Sequence, residues 1–287
     1  MFPDLIDTRP LRRAIDDGLE WVVRNWGDEF EAAAYPLLML LKAIEDLLIA
    51  TPWWLIMAIL VGIAWLATRN WKLPAIVLVS LLFLGVMDLW KDAMTTMALM
   101  IAATITAIVV SIPVGVWMSR SPTVRNIITP ILDLMQTLPS FVYLVPVVMF
   151  FGLGNVSALF ATFVYAVPPL IRLTDLGLRS VDRSLVEAAQ TAGATEGQVL
   201  RYVRLPLALP TLAAGVNQTI MLALSMVVLT SMIGARGLGQ VVLRGLQRGD
   251  VGLGLEAGLA IVLLAVVMDR VTAGYARRWD PDAEERG

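Results

Sequence analysis

The chain has 287 residues, of which 58% are hydrophobic and 16% are charged, and its formal net charge is −2. Soluble domains average about 45–50% apolar and about 25% charged residues, so this composition excludes intrinsic disorder and argues against an ordinary water-soluble enzyme. Cysteine and histidine are absent, which excludes thiol nucleophiles, disulfides, Cys-based metal sites and His-based triads. The charge balance gives no basic footprint for nucleic acid. The sequence therefore predicts an all-α polytopic membrane protein.

The N-terminal segment, residues 1–52, differs from the rest of the chain because acidic residues outnumber basic ones in it. Its first half predicts an amphipathic surface helix, since apolar residues recur there at helical spacing. These residues are Ile15, Leu19, Val22, Val23 and Trp26. The apolar stretch Tyr35–Leu41 is short and is followed closely by charges, so it predicts an interfacial segment. An additional span over residues 33–50 stays open.

Seven runs with few or no charged residues follow, and a membrane-spanning helix needs about 20 apolar residues. The turn signal Gly152–Asn155 divides the longest run in two. The predicted spans are Trp53–Thr68, the run from Lys72 to Trp90, Ala93–Ser119, Ile127–Phe151, Val156–Ile171, Leu205–Ala235 and Val251–Ala273. We therefore expect about seven transmembrane helices: two in residues 53–92, the others in a core of residues 93–273, and a tail at 274–287.

Arginine and lysine accumulate in alternate loops, and such loops are typically cytoplasmic. The richest of these loops is Arg172–Arg204, and the tail carries Arg277 and Arg278. Seven spans then put the C-terminus in the cytoplasm and the N-terminus outside. The expected location is a cell (inner) membrane, in contact with lipid.

The loop Arg172–Arg204 contains two signals for short helices. Ser184 and Glu187 have the spacing of a capping box, as do Thr195 and Gln198, and Gly193 lies between them. A simple connection between two spans needs only a few residues. The loop therefore predicts two short helices that meet at Gly193, either as a rigid docking element for a cytoplasmic partner or as a loop on the membrane surface.

One motif in this loop resembles that of a known family. Glu187-Ala188-Ala189, three residues, Gly193, nine residues and then Val203-x-Leu205-Pro206 resembles the EAA signature of binding-protein-dependent ABC importer permeases. Leu134–Ser140 and Ile233–Gly239 are similar to the glycine betaine/proline betaine branch of that family. The resemblance covers about residues 92–273.

The resemblance implies a type-I ABC importer permease fold with a cytoplasmic coupling helix. Two cytoplasmic ATPase subunits would dock below two permease copies, and an extracytoplasmic binding protein would deliver the solute. The residues that would couple this chain to the ATPase are Ser184, Glu187, Ala188, Ala189, Gly193, Val203, Leu205 and Pro206. The chain has no Gly-rich nucleotide loop, so ATP and Mg²⁺ would be bound by the partner, and this subunit would carry no catalytic residue, metal or cofactor.

The implied solute is a quaternary amine, glycine betaine or proline betaine, with choline and carnitine as alternatives. Polar side chains inside the predicted spans are candidates for the pathway. Helix–helix hydrogen bonding explains the Ser and Thr residues better and the larger Gln and Asn residues equally well. The candidates are Gln136, Thr137, Ser140, Asn217 and Gln218. Asp133 is expected to pair with Arg125 or Arg172. The glycine-rich segment 233–254 predicts either a short gate helix or a solvated loop.

Three alternatives remain at this point. One is a permease for another small solute, and another is an ion-coupled secondary transporter, which would need intramembrane carboxylates. The acidic residues available for that role, Asp88, Asp133 and Asp269, all lie near predicted span ends. An intramembrane enzyme would need a Ser–Lys or paired-Asp arrangement, which the predicted spans do not offer.

Overall fold

The computed structural model describes residues 9–68 and 71–277, and every regular element in these ranges is a helix. The fold is therefore all-α, as predicted. The helices are α1 (Arg9–Ala50), α2 (Trp53–Thr68), α3 (Lys72–Val86), α4 (Trp90–Arg120), α5 (Pro122–Thr137), α6 (Ser140–Phe151), α7 (Asn155–Arg179), α8 (Arg183–Thr191), α9 (Glu196–Val199), α10 (Leu205–Thr230), α11 (Leu238–Arg248) and α12 (Val251–Arg277). A π-helical turn, Leu200–Arg204, joins α9 to α10, and a 3₁₀ turn, Ser231–Ile233, follows α10.

Four helices in the described ranges are long and apolar enough to cross a membrane: α4, α7, α12 and the continuous helix Glu196–Ile233 that contains α10. The number rises to six if each of two bent helix pairs is one span. The predicted count of about seven differs because α3 has only 15 residues and because α2, with 16, counts only together with Ala32–Ala50 of α1. The second predicted run also stops early, since α3 ends at Val86 and Trp90 begins α4.

The predicted span Ile127–Phe151 is not one helix. It is divided between α5 and α6, whose axes differ by 102°. The break falls at Leu138, which has extended backbone angles (φ −64°, ψ 133°) because the ring of Pro139 disfavours a helical conformation for the preceding residue. The turn predicted at Gly152–Asn155 is confirmed, with α6 ending at Phe151 and α7 beginning at Asn155.

The N-terminal segment forms one helix of 42 residues, α1, and not an amphipathic helix followed by a separate stretch. Its second half packs against the bundle. Leu41 is buried in a cluster with Ala98 and Leu99 of α4, and the Phe30 ring lies 5.0 Å from that of Phe150 on α6. The helix ends before Thr51–Pro52, where the chain turns by 106° into α2. Its predicted interfacial position remains a prediction.

Helix α7 lies at the centre of the bundle, between α4 and α10, and glycines bring the three helices close together. A Cβ atom added at Gly115 of α4 would lie 2.5 Å from Cβ of Thr174. One added at Gly215 of α10 would lie 2.9 Å from Cδ1 of Leu170. Because lipid offers no hydrophobic driving force between helices, such close backbone approach and the dispersion contacts it permits hold the bundle together.

We predict that Gly115→Val weakens the fold, because its side chain must displace α7. Overpacking of this kind costs about 1–3 kcal/mol, which should appear as a lower unfolding temperature of the purified protein. Gly258→Val is the matched control, since a Cβ atom at Gly258 of α12 meets nothing within 4 Å. Equal unfolding temperatures for Gly115→Val and the unmodified chain would contradict this packing.

Candidate functional site

The candidate site is the region between α7 and α10 that carries the EAA-like motif. It begins later than predicted, because α7 continues past Ile171 and ends at Arg179. The last turns of α7 are fixed by Asp175, whose side chain is only 7% exposed. Its two carboxylate oxygens accept hydrogen bonds of 2.9 Å each from Nε and Nη2 of Arg179.

Asp175 also joins α7 to α5, since its Oδ2 lies 3.5 Å from Nε of Arg125. A buried carboxylate is stable only when it is paired, and loss of one partner typically costs about 3–5 kcal/mol. The sequence does not identify Asp175 as a site residue, because Asp175 falls within the predicted loop Arg172–Arg204. The available signal was the spacing of Asp175 and Arg179, which are four residues apart and therefore adjacent on a helix.

A second ion pair joins the same two helices. Arg172 of α7 donates a hydrogen bond to Asp133 of α5, which confirms one of the two pairings predicted for Asp133. Arg125, the other predicted partner, is the residue that contacts Asp175. Helix α5 is therefore tied to α7 at Arg172 and Asp175, in the last turns of α7.

Helix α8 begins one residue before the predicted start. Its N-cap is Asp182, whose carboxylate accepts a hydrogen bond of 2.9 Å from the Ser184 backbone N–H. The predicted capping role of Ser184 is wrong, because an aspartate two residues upstream takes that position. The predicted reach of Glu187 back to the cap is also wrong. The Glu187 carboxylate accepts a hydrogen bond of 2.7 Å from Nε of Arg183 instead.

Gly193 ends α8 as predicted. Its φ of +87° is in the left-handed region that glycine adopts without strain. The N–H groups of Gly193 and Ala194 donate to the carbonyls of Gln190 and Ala189, at 2.9 and 3.0 Å. This is a Schellman motif, which satisfies the last carbonyls of the helix.

The start of α9 confirms the second predicted capping box. The Gln198 N–H donates to Oγ1 of Thr195 at 3.4 Å, and the Thr195 N–H donates to Oε1 of Gln198 at 2.8 Å. A further side-chain bond of 2.9 Å, from Gln190 to Glu196, crosses the corner between α8 and α9. The two helices are therefore held in a fixed relation by backbone and side-chain bonds.

The second short helix does not end before the span that begins at Leu205. It continues through the π-helical turn that contains Val203 into α10, which begins at Leu205. Proline lacks an N–H and crowds the carbonyl four residues earlier, and the wider π turn accommodates it without a break. Leu205 packs against the buried cluster of Leu178, Ala208 and Leu212.

The motif residues differ in exposure. Glu187 and Ala188 are exposed and Ala189 is half-buried, whereas Val186 of α8 and Val199 of α9 are buried against the protein. Helix α8 therefore packs against α9 and the π-helical turn and leaves the Glu187–Ala188 face open. Within residues 9–68 and 71–277, no group of acidic side chains is arranged to hold a metal ion.

The pathway candidates fall into two groups. Gln136, Thr137 and Ser140 flank the bend between α5 and α6, and the first two are exposed. Asn217 is instead engaged between α10 and α12: its amide donates to Asp269 at 3.0 Å and accepts from Thr272 at 2.6 Å. This arrangement favours the helix–helix alternative for Asn217.

Gln218 lies on an exposed stripe of α10. The stripe follows helical periodicity and faces away from α7 and α12. Its residues are Leu207, Ala214, Gln218, Met221 and Ser225, and Met232 of the following 3₁₀ turn is also exposed. The glycine-rich segment forms a helix, α11, rather than a solvated loop, and α11 packs against α12, where a Cβ atom at Gly245 would lie 2.7 Å from the Gly254 nitrogen.

Comparison with known proteins identifies the family to which this chain belongs. Residues 107–281 match the family model described as "Binding-protein-dependent transport system inner membrane component". The chain belongs to this family. It is a multi-pass permease subunit of a binding-protein-dependent transport system of the inner membrane.

Two relatives and one solved structure illustrate the family. The chain is 44% identical to the glycine betaine/proline betaine transport system permease protein ProW of Escherichia coli K12, over 97% of this chain and 77% of ProW. It is 42% identical to the glycine betaine transport system permease protein OpuAB of Bacillus subtilis 168, over 94% of this chain and 95% of OpuAB. The inward-facing MetNI methionine ABC transporter has the same fold, with a TM-score of 0.60 and 23% identity over 67% of this chain and 95% of its own.

We predict that Asp182→Ala speeds amide exchange in the first turn of α8. The Ser184 N–H holds the pKa of the Asp182 carboxyl below its ordinary value. The charged cap is thus fully formed above the ordinary carboxyl pKa and is lost as the pH falls through the lowered one. Hydrogen–deuterium exchange at Ser184–Val186 at neutral pH measures the effect. Asp182→Asn should speed exchange less than Asp182→Ala does, because asparagine also caps helices well. Equal exchange rates in the two variants and the unmodified protein would contradict the role of Asp182 as the cap.

Proposed function

We propose that this permease forms the translocation pathway of an ATP-driven importer for a quaternary-amine osmolyte. The observation that carries the proposal is the rigid α8–α9 element, with its Glu187–Ala188 face exposed. Its two ends are connected to α7 and α10, which are helices of the bundle. The solute is inferred from the relatives ProW and OpuAB, whose names specify glycine betaine, with choline and carnitine as alternatives.

In this proposal α8 is the coupling helix, seated in a groove of a separate ATPase that binds ATP and Mg²⁺. Ala188 and Ala189 permit close approach to that groove, and Glu187 meets the partner. Gly193 and the bonds around it keep α8 and α9 in one orientation. Because a fixed element transmits a displacement that a flexible loop would absorb, movement of the ATPase reaches α7 and α10. The permease itself then carries no catalytic group.

The complete transporter in this proposal contains two permease copies, two ATPase subunits and an extracytoplasmic binding protein. The exposed α10 stripe with Gln218 supports a face turned toward the pathway or the second copy. Gln136 and Thr137 at the bend between α5 and α6 are the other pathway candidates. Arginine-rich segments near α8 and at the end of α12 favour a cytoplasmic C-terminus and an extracytoplasmic N-terminus.

An ion-coupled mechanism has less support. It needs carboxylates free to bind and release a cation within the membrane. Asp133 is paired with Arg172, and Asp269 accepts a hydrogen bond from Asn217. Neither carboxylate is therefore poised for such a cycle.

We predict that Glu187→Arg lowers binding-protein-stimulated ATP hydrolysis by the assembled transporter at least about tenfold, because it reverses a charge at the proposed contact. ATP hydrolysis of the complex in lipid nanodiscs is the measurement. Arg183→Gln is the control, since it removes the ion pair with Glu187 but keeps the Glu187 carboxylate. The two side chains of this pair are 90% and 59% exposed. Arg183→Gln should stay near full activity. Normal coupling in Glu187→Arg would refute the assigned role.

We also predict that uptake into proteoliposomes needs ATP on the side of the membrane that carries α8. Uptake should continue without any ion gradient. Unlabelled glycine betaine and proline betaine should compete with the labelled solute more strongly than an aliphatic amino acid does. Uptake that persists without ATP and stops when the gradient is collapsed would favour the ion-coupled mechanism. Competition by unrelated solutes alone would overturn the proposed substrate class.

A further inference from the structure

A cavity of about 390 Å³ lies at the end of the bundle opposite α8, where α7 begins. Its walls come from α1, from the turn before α7 and from the segment between α10 and α11. Three charged side chains line it: Lys42 and Glu45 of α1, and Arg236. Its volume is within the range of about 300–1,000 Å³ that is typical of small-molecule sites.

The walls of this cavity are held by hydrogen bonds between distant parts of the chain. The Gly154 N–H donates to the Ile233 carbonyl at 2.9 Å, and the Arg236 N–H donates to Oδ1 of Asn155 at 3.4 Å. These bonds join the start of α7 to the segment between α10 and α11. The cavity is therefore part of the folded framework and not a gap between independent loops.

Glu45 has a fixed orientation. Its Oε1 accepts a hydrogen bond of 3.0 Å from Oγ1 of Thr95, a residue of α4 that is only 8% exposed. One carboxylate oxygen is used in this way, and the charge remains available to the cavity.

The three charged side chains around the cavity form no ion pair with one another. In the described part of the chain, no ion pair joins Glu45 to Lys42 or to Arg236, although all three line the same space. Two cations and one anion at separate positions complement a ligand that carries both signs of charge. Leu38 and Val156 add apolar surface, which suits a methylated cation better than a strongly hydrated one.

We infer that this cavity binds a small zwitterion with a carboxylate and a quaternary ammonium group. The ligand carboxylate contacts Lys42 and Arg236, and the ammonium group faces Glu45. This inference rests on the proposed function for its ligand class and refines it. A solute without a carboxylate, such as choline, makes only half of these contacts, so the cavity favours betaines and carnitine over choline.

The cavity is separate from the pathway candidates on α10 and at the bend between α5 and α6. It lies at the end of the molecule that the proposed orientation assigns to the outside. A solute released there meets Lys42, Glu45 and Arg236 before it reaches the interior. The cavity is thus an acceptance site that adds a second selection for the carboxylate.

The test uses the complete permease–ATPase complex in lipid nanodiscs without its binding protein, and equilibrium binding as the readout. Three probes separate the charges: glycine betaine, choline, and 3,3-dimethylbutyrate, which has the carboxylate but a carbon in place of the nitrogen. Lys42→Gln and Arg236→Gln should each weaken the binding of glycine betaine and of 3,3-dimethylbutyrate about fivefold, because each variant loses one partly exposed charge contact. The affinity for choline should not change. Glu45→Gln should weaken glycine betaine and choline but not 3,3-dimethylbutyrate.

Two further variants guard against a purely structural explanation. Lys91→Gln removes an exposed charge on α4 that does not line the cavity, and it should bind all probes as the unmodified complex does. Thr95→Val keeps the Glu45 charge but releases its orientation, and it should weaken glycine betaine less than Glu45→Gln does.

Several results would overturn the inference. These are glycine betaine binding that all cavity variants retain, equal loss of all three probes in every cavity variant, or loss of binding in Lys91→Gln. Such results leave the proposed function intact if Glu187→Arg still uncouples ATP hydrolysis. Conversely, normal coupling in Glu187→Arg combined with the expected probe pattern would refute the coupling role and support the cavity.

Discussion

The structure depends on the close approach of α4 and α10 to the two sides of α7. At Gly115 and Gly215 the absence of a side chain lets neighbouring helices come within contact of the α7 backbone. Ion pairs then fix α5 to α7 through Asp175 and Asp133. In a membrane, where apolar surface gains little from burial against another helix, these steric and ionic contacts determine how the helices are arranged.

The same arrangement explains why the EAA-like element is stiff. Helix α8 follows α7 directly, and α9 continues into α10, so each end of the element is anchored in one of the helices that the glycines hold together. Asp175 fixes the last turns of α7 just before the chain leaves the bundle. The local bonds around Gly193 complete the connection. This stiffness supports the mechanical role proposed for the region.

The sequence predicted those features that depend on local chemistry. The Gly152–Asn155 turn, the left-handed Gly193 and the Thr195–Gln198 box are confirmed, because each is determined by residues that are close in the chain. It did not predict that α7 extends to Arg179 or that Asp182 caps α8. The predicted span ended at Ile171 because charged residues follow it. Asp175 and Arg179 neutralise each other, however, and allow the helix to continue. The bend at Pro139 was missed because hydropathy does not register backbone restriction.

Among the candidate site residues, tertiary contacts decide what the sequence left open. Asn217 and Gln218 are adjacent and chemically similar, but one is bound by Asp269 and Thr272 and the other lies on an exposed face. The cavity residues Lys42 and Arg236 are nearly two hundred positions apart in the chain, so no local pattern could bring them together.

The continuous helix Glu196–Ile233 has 38 residues, which corresponds to about 57 Å at 1.5 Å per residue. It starts beside α8 and finishes at Ile233, whose carbonyl binds the Gly154 N–H at the rim of the cavity. Because the helix is continuous through the π-helical turn and α10, a tilt imposed at one extremity shifts the other. Nucleotide events on one surface of the bilayer and solute occupancy on the opposite surface would then be reciprocally linked through a single rod.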